Sequence, residues 1–204
     1  TNTSNKSFIP GLFVQNETKF DDKNTLLLGA RVDYNNNHGF IPTPRIAYRY
    51  QVNDRNIFRL NAGTGFRVVN LFTEEHAAIS GARDVIIKGD LDPEQTYNIN
   101  LNWLSKFNQP SGNFYSFEAS AWYTHFTNAI IPNYDQHPNQ IIYENLDGYS
   151  LSRGISINYD FVFNNSLKAL LGITVMDVSK VENSTKNRQV LTERFSATWA
   201  LSYT

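Results

Sequence analysis

Residues 97–103 read Tyr97-Asn98-Ile99-Asn100-Leu101-Asn102-Trp103, with a large apolar side chain at every odd position and a carboxamide at every even one. Successive side chains of an extended strand point to opposite sides, so this segment is a strand with one oily face and one hydrogen-bonding face. Neither face suits a sheet buried on both sides. Two architectures remain: a soluble sandwich or barrel with its apolar face inward, or a membrane barrel with its apolar face toward lipid and a polar lumen.

The same alternation recurs along the chain. Leu28, Ala30, Val32 and Tyr34 alternate with Gly29, Arg31 and Asp33; Ile46, Tyr48 and Tyr50 with Arg45, Ala47 and Arg49; Phe58, Leu60 and Ala62 with Arg59, Asn61 and Gly63. Segments 115–123, 154–161 and 195–203 follow the rule, and helical spacing fits none of them better. The pattern predicts about nine strands, most of roughly 10 to 13 residues, which suits a tilted membrane crossing and exceeds the 5 to 6 usual in soluble proteins. Parity puts Arg31, Asp33, Arg45, Arg49, Arg59, Arg67 and Glu118 on the polar side. In lipid these charges would be costly; lining a lumen they can pair with water, with one another or with a domain inside the barrel.

Composition narrows the function. Aromatic residues make up 14% of 204 residues, as interfacial girdles require. A net charge of −1 leaves no basic stripe for phosphates, so no nucleic-acid partner is expected. With no Cys, disulfides and thiolate metal sites are excluded. No apolar run approaches the roughly 18 residues of a membrane helix, and residues 1–7 are polar, without a signal-peptide core. A mean hydropathy of −0.42 is compatible with a membrane barrel, half of whose strand positions are polar.

Connections are expected to alternate in length. Short ones fall at 21–24, 53–56, 105–112 and 164–166, and longer ones at 35–40, 68–93, 128–147 and 179–188, the outer-membrane pattern of short periplasmic turns and long extracellular loops. Binding residues concentrate on long loops over a rigid scaffold. The candidates are Asn70, Phe72, Glu74, Glu75, His76 and Arg83 in the first long loop, and Tyr134 and His137 in the second, where Asp135, Gln136 and Tyr143 add carboxamide and aromatic surface suited to a glycan or an aromatic siderophore. The plainer alternative for each is an ordinary solvated loop side chain. Glu74-Glu75-His76 is not assigned to a metal, because adjacent residues rarely converge on one ion. Gly63-x-Gly65 lacks the third glycine of a dinucleotide fingerprint. His125 falls on the opposite parity from Ser116 and Ser120, so no nucleophile is matched to a base and no enzyme is expected.

Several of these segments carry a family resemblance. Residues 59–74, Arg-Leu-Asn-Ala-Gly-Thr-Gly-Phe-Arg-Val-Val-Asn-Leu-Phe-Thr-Glu, resemble the Gly-x-Gly-Phe-Arg strand end of TonB-dependent outer-membrane receptors, with Val68-Val69 where Ala-Pro is usual. Gly89-Asp90-Leu91-Asp92-Pro93-Glu94 is similar to the family's Asn-Pro-x-Leu-x-Pro-Glu element, and Phe13-Val14-Gln15, residues 28–34 and Asn145-Leu146-Asp147-Gly148 follow in family order. The resemblance implies an all-β, antiparallel transmembrane β-barrel, partial here, with residues 1–204 a piece of its wall and the plug domain, TonB box and C-terminal strands outside it. It further implies an outer-membrane receptor that binds a scarce nutrient (iron-siderophore, haem, cobalamin or glycan) at outer loops and imports it with TonB-derived energy. Its partners would be outer-membrane lipid, its own plug and the TonB complex, with no cofactor. The alternative is a secreted soluble β-sandwich that binds carbohydrate, with the aromatic faces as its core.

Overall fold

The computed structural model describes residues 8–68, 83–89, 91–133, 137–164, 166–182, 184–189 and 192–203. Its elements are strands: β1 (Gly11–Lys19), β2 (Asn24–Asn35), β3 (Gly39–Gln51), β4 (Asn56–Arg67), β5 (Asp84–Ile87), β6 (Glu94–Asn108), β7 (Phe114–Thr127), β8 (Ile130–Asn133), β9 (Gln140–Asn145), β10 (Gly148–Val162), β11 (Leu167–Glu182), β12 (Thr185–Arg188) and β13 (Phe195–Tyr203). Ten form one antiparallel sheet in the order β1-β2-β3-β4-β6-β7-β10-β11-β12, with β13 also on β11. The far edge of β11 is shared, β13 pairing with Leu167–Val175 and β12 with Ser179–Glu182.

Short polar turns close the hairpins on one rim. Asp21 accepts the backbone N–H groups of Lys23 and Asn24, both at 2.7 Å, and Asn53 accepts those of Arg55 at 3.0 Å and Asn56 at 2.9 Å. Each side chain does locally what a backbone carbonyl would do, fixing the reversal and with it the strand register.

The other rim departs from the expected loop lengths at three places. Between β2 and β3 only residues 36–38 intervene, so 35–40 is a tight turn in which Asn35 accepts the N–H groups of Asn37 and His38. Segment 179–188 is not a loop, because β11 runs on to Glu182 and returns at once as β12. The extended preference of Val178, Val181 and Thr185 carries the ladder beyond the expected boundary. Segment 128–147 is largely structured, contributing β8 and β9 to a three-stranded sheet, β5-β9-β8. β5 and β9 pair in parallel, so the two long connections are bonded to each other.

The buried apolar cluster lies in that small sheet: Ile141 and Tyr143 pack with Val85, Leu91 and Ile130. The large sheet has the reverse of a soluble protein's burial. Leu101 and Ile155 are 49% and 57% exposed, whereas Asn102 and Ser116, of opposite parity, are 8% exposed. The apolar face of the large sheet is thus the exposed one, the opposite of a soluble sandwich with an aromatic core.

Candidate functional site

On the apolar face the registers align bulky residues into belts. Phe58, Trp103, Ala119, Ile157, Ile173 and Ala197 lie in one cross-strand row, with Leu60, Leu101, Ala121, Ile155 and Val175 in the next. Toward the short-turn rim the rings form a continuous network. Phe58 stacks on Trp103 at 5.9 Å, Trp103 meets Phe117 edge-on at 5.2 Å, Phe117 meets Tyr159 at 6.1 Å, and Tyr159, Phe161 and Tyr115 extend the chain across β10 and β7. Trp103 also donates its indole N–H to Asn56 Oδ1 at 3.2 Å. Rings with an apolar body and a polar tip suit the boundary between hydrocarbon and water.

The opposite face is a polar wall. Arg59 Nη1 donates to Asn102 Oδ1 at 3.2 Å, and Asn102 Nδ2 donates to Glu118 Oε1 at 2.6 Å and Ser120 Oγ at 2.9 Å, linking β4, β6 and β7. Arg31 grips Asp33 with two bonds, Nη2 to Oδ1 at 2.6 Å and Nε to Oδ2 at 2.8 Å. The Asp33 side chain is wholly buried, and Gly11 across from it leaves room for the carboxylate, since a Cβ there would fall 2.3 Å from Asp33 Oδ1. Arg45, Arg49 and Arg59 have no carboxylate oxygen within 4.0 Å among the described residues.

Above the wall, the two long connections are fastened together. Asn145 Oδ1 accepts the Asp92 N–H at 2.8 Å, while its Nδ2 donates to the carbonyls of Asp92 at 3.0 Å and Asn128 at 2.8 Å. Glu94 accepts the Ile130 N–H at 2.8 Å through one oxygen and pairs with Arg67 Nε at 2.6 Å through the other. Lys88 and Glu144 form an ion pair at 2.7 Å across β5 and β9.

The sequence matches the family profile described as TonB dependent receptor-like, beta-barrel, over residues 1–204. The chain belongs to this TonB-dependent receptor barrel family. No curated protein matches the sequence. Among solved structures, the siderophore receptor PirA from Acinetobacter baumannii is similar with a TM-score of 0.73 at 16% identity, over 97% of this chain and 31% of that one. PirA from Pseudomonas aeruginosa follows with 0.69 at 14% identity, over 98% and 40%. The pyoverdine receptor FpvA from Pseudomonas aeruginosa PAO1, bound to pyoverdine, gives 0.68 at 14% identity, over 97% and 28%. These likenesses show a shared fold, and this chain spans less than half the length of each.

Within a TonB-dependent receptor barrel the sequence-derived positions sort clearly. Arg31, Asp33, Arg45, Arg49, Arg59, Arg67 and Glu118 occupy the polar face by register. Asn70, Phe72, Glu74, Glu75, His76 and Tyr134 lie outside the described residues. Arg83 and His137 precede the paired strands β5 and β9, so the parallel register brings them to the same end of the small sheet. Tyr143 is 3% exposed within the small core, which removes it as a surface for stacking ligand.

Glu94 and Asn145 were not singled out as functional from sequence. Their signal was present in the family elements themselves. In the receptor barrel, Arg67 of the Gly-x-Gly-Phe-Arg strand end pairs with Glu94 of the Leu-Asp-Pro-Glu element, so the two matching stretches meet across β4 and β6. Gly63 of the same strand fits because a Cβ would come within 3.0 Å of the Pro44 carbonyl oxygen. Among the described residues no group of His, Cys, Asp and Glu is placed to hold a metal.

Proposed function

We propose that residues 1–204 are a section of the barrel wall of a bacterial outer-membrane receptor that captures a scarce nutrient at its long-loop rim and imports it with TonB-derived energy. The observation that carries this reading is the inverted burial of the large sheet, apolar on its more exposed face and polar on its less exposed one. Such a sheet is stable where hydrocarbon bathes one side and a wet interior the other. A plug domain elsewhere in the receptor would supply carboxylates to Arg45, Arg49 and Arg59, which have none within 4.0 Å among the described residues, and the inner-membrane TonB complex would act on that plug. The stapled small sheet, with Arg83 and His137 at one end, would form part of the nutrient-binding surface together with Asn70, Phe72, Glu74, Glu75, His76 and Tyr134. Iron-siderophore is the favoured cargo, supported by the siderophore receptors among its structural neighbours, ahead of haem, cobalamin or a glycan.

The test is uptake of labelled ferric siderophore by bacteria that carry or lack the receptor, with and without a proton uncoupler. Uptake that requires both receptor and proton gradient supports the proposal. Uptake unchanged by deleting the receptor, across a panel of siderophores, haem, cobalamin and glycans, would sink it.

A further inference from the structure

The small rim sheet has two edges, and they are finished differently. Along β8, Ala129 accepts the Leu146 N–H and so faces β9, which leaves Ile130 and Pro132 as the residues turned outward. The Ile130 N–H is taken by Glu94 Oε1 at 2.8 Å, and Pro132 has no N–H to offer. That edge is closed to a further strand. Along β5, Asp84 and Lys88 donate their N–H groups to the carbonyls of Asn139 and Tyr143, both at 2.9 Å, so alternation turns both backbone groups of Val85 and Ile87 away from β9. Among the described residues no strand pairs with that edge. Aliphatic carbon flanks it on both sides: Ile86 is 38% exposed on one face of the sheet and Ile87 is 42% exposed on the other. Exposed Arg83 and Lys88 stand at its two ends.

We infer that β5 accepts an extended polypeptide segment of a ligand, added as a fourth strand of the rim sheet. The inference rests on the outer-membrane reading above, which puts this rim outside the cell. The backbone itself names the occupant. Two outward N–H and two outward C=O groups, held in extended geometry, are complementary to another extended main chain. Strand addition of this kind takes its affinity from main-chain bonds and its selectivity from alternate side chains, here an apolar one beside Ile86 and another beside Ile87. Size argues against a second receptor as the partner, because a four-residue edge buries far less than the roughly 1,200 Å² of a stable protein interface. Sheets blunt the edges they do not use, so a closed edge and an open one on the same three strands mark the open one as the docking side.

The experiment uses the intact receptor in mild detergent and a fluorescent peptide of alternating valine and threonine, about ten residues long with glutamate at each end, its binding read by anisotropy. The comparison probe is the same peptide N-methylated throughout its centre, which removes the donors of both its edges and keeps its side chains. Wild type should bind the unmethylated peptide at least about tenfold more tightly than the methylated one. Ile87→Pro deletes an outward N–H without touching a bond to β9 and should weaken the unmethylated peptide about tenfold, whereas Ile87→Val should stay within about twofold of wild type. The methylated probe meets the unaltered receptor, so it reads the edge even where Ile87→Pro folds poorly. Equal binding of the two peptides, equal binding by wild type and folded Ile87→Pro, or no binding of the unmethylated peptide at about 1 mM overturns the inference. Receptor self-association that Ile87→Pro abolishes, with no peptide bound, overturns it in favour of a second copy. Cells carrying the receptor should also capture the peptide coupled to a dextran too large to cross the outer membrane. Binding in detergent that is absent on intact cells defeats the outer-membrane placement and leaves the edge inference standing.

Discussion

Asn145 and Asp92 exchange a reciprocal pair of hydrogen bonds: the carboxamide oxygen takes the Asp92 N–H at 2.8 Å and the carboxamide nitrogen gives back to the Asp92 carbonyl at 3.0 Å. One side chain therefore acts as a short stretch of partner strand. It joins two connections that leave the wall at different strands, and a third bond to the Asn128 carbonyl secures the base of the second.

Removing that side chain should loosen the small sheet and leave the wall intact. Asn145→Ala strands the Asp92 and Asn128 backbone groups, a local loss of about 1–3 kcal/mol for those that stay buried. Limited proteolysis should then cut within 83–93 or 137–147 several times faster, with no change in barrel assembly. Unchanged cleavage rates would show that the Ile141 and Tyr143 cluster holds the module without the staple.

The two faces make a sharper comparison. Leu101→Arg should destabilise the barrel in lipid by roughly 2 to 4 kcal/mol if the site is near the midplane, whereas Asn100→Arg should cost far less. Folding yields into vesicles of the receptor variants measure this directly. Equal losses, or a greater loss for Asn100, would mean that the faces are reversed.

Arg49 stands across from Arg59 on adjacent strands of the polar face. Arg49→Glu replaces a like-charged pair with an opposite one, which should steady the wall by roughly 0.2 to 1 kcal/mol. The same change should weaken capture of the plug domain, giving a receptor with an unchanged or raised melting temperature but larger single-channel leak in a planar bilayer. A tighter barrel with no added leak would detach Arg49 from plug docking.

In the turn between β1 and β2, hydrogen bonds from the Asn24 side chain and the Lys23 backbone hold the Asp21 carboxyl below its ordinary 3.8. A depressed carboxylate contributes stability that is fully present above the ordinary value and is lost as pH falls through the lowered one. Acidification into that range should therefore fray this turn, and Asp21→Asn should remove the pH dependence. Amide chemical shifts of Lys23 and Asn24 followed on acidification check it; shifts that titrate identically in Asp21→Asn would assign the effect elsewhere.

The facing of most long strands was legible because period-two alternation needs no knowledge of distant partners, although no face was read for β11, the longest of them. Parity alone told Arg59 from Leu60 and Asn100 from Leu101. Boundaries were harder. Segment 179–188 looked like a loop for its polar Lys180, Glu182 and Asn183, yet cross-strand partners carry β11 and β12 through it. The small sheet was invisible for another reason: Ile86 pairs with Ile142 in parallel, and nothing local in either segment announces a partner so remote. Tyr143 consequently looked like a solvent-facing ring, although the pairing buries it.

That remote pairing also dictates an order of assembly. Lys88 and Glu144 stand 56 positions apart, and between them run β6 and β7, whose hairpin must close before the two connections can meet. Contacts across long sequence separations form only after nearer ones have shortened the loop to be closed. The rim sheet is therefore expected to form late, once the β6–β7 hairpin has drawn its two halves together.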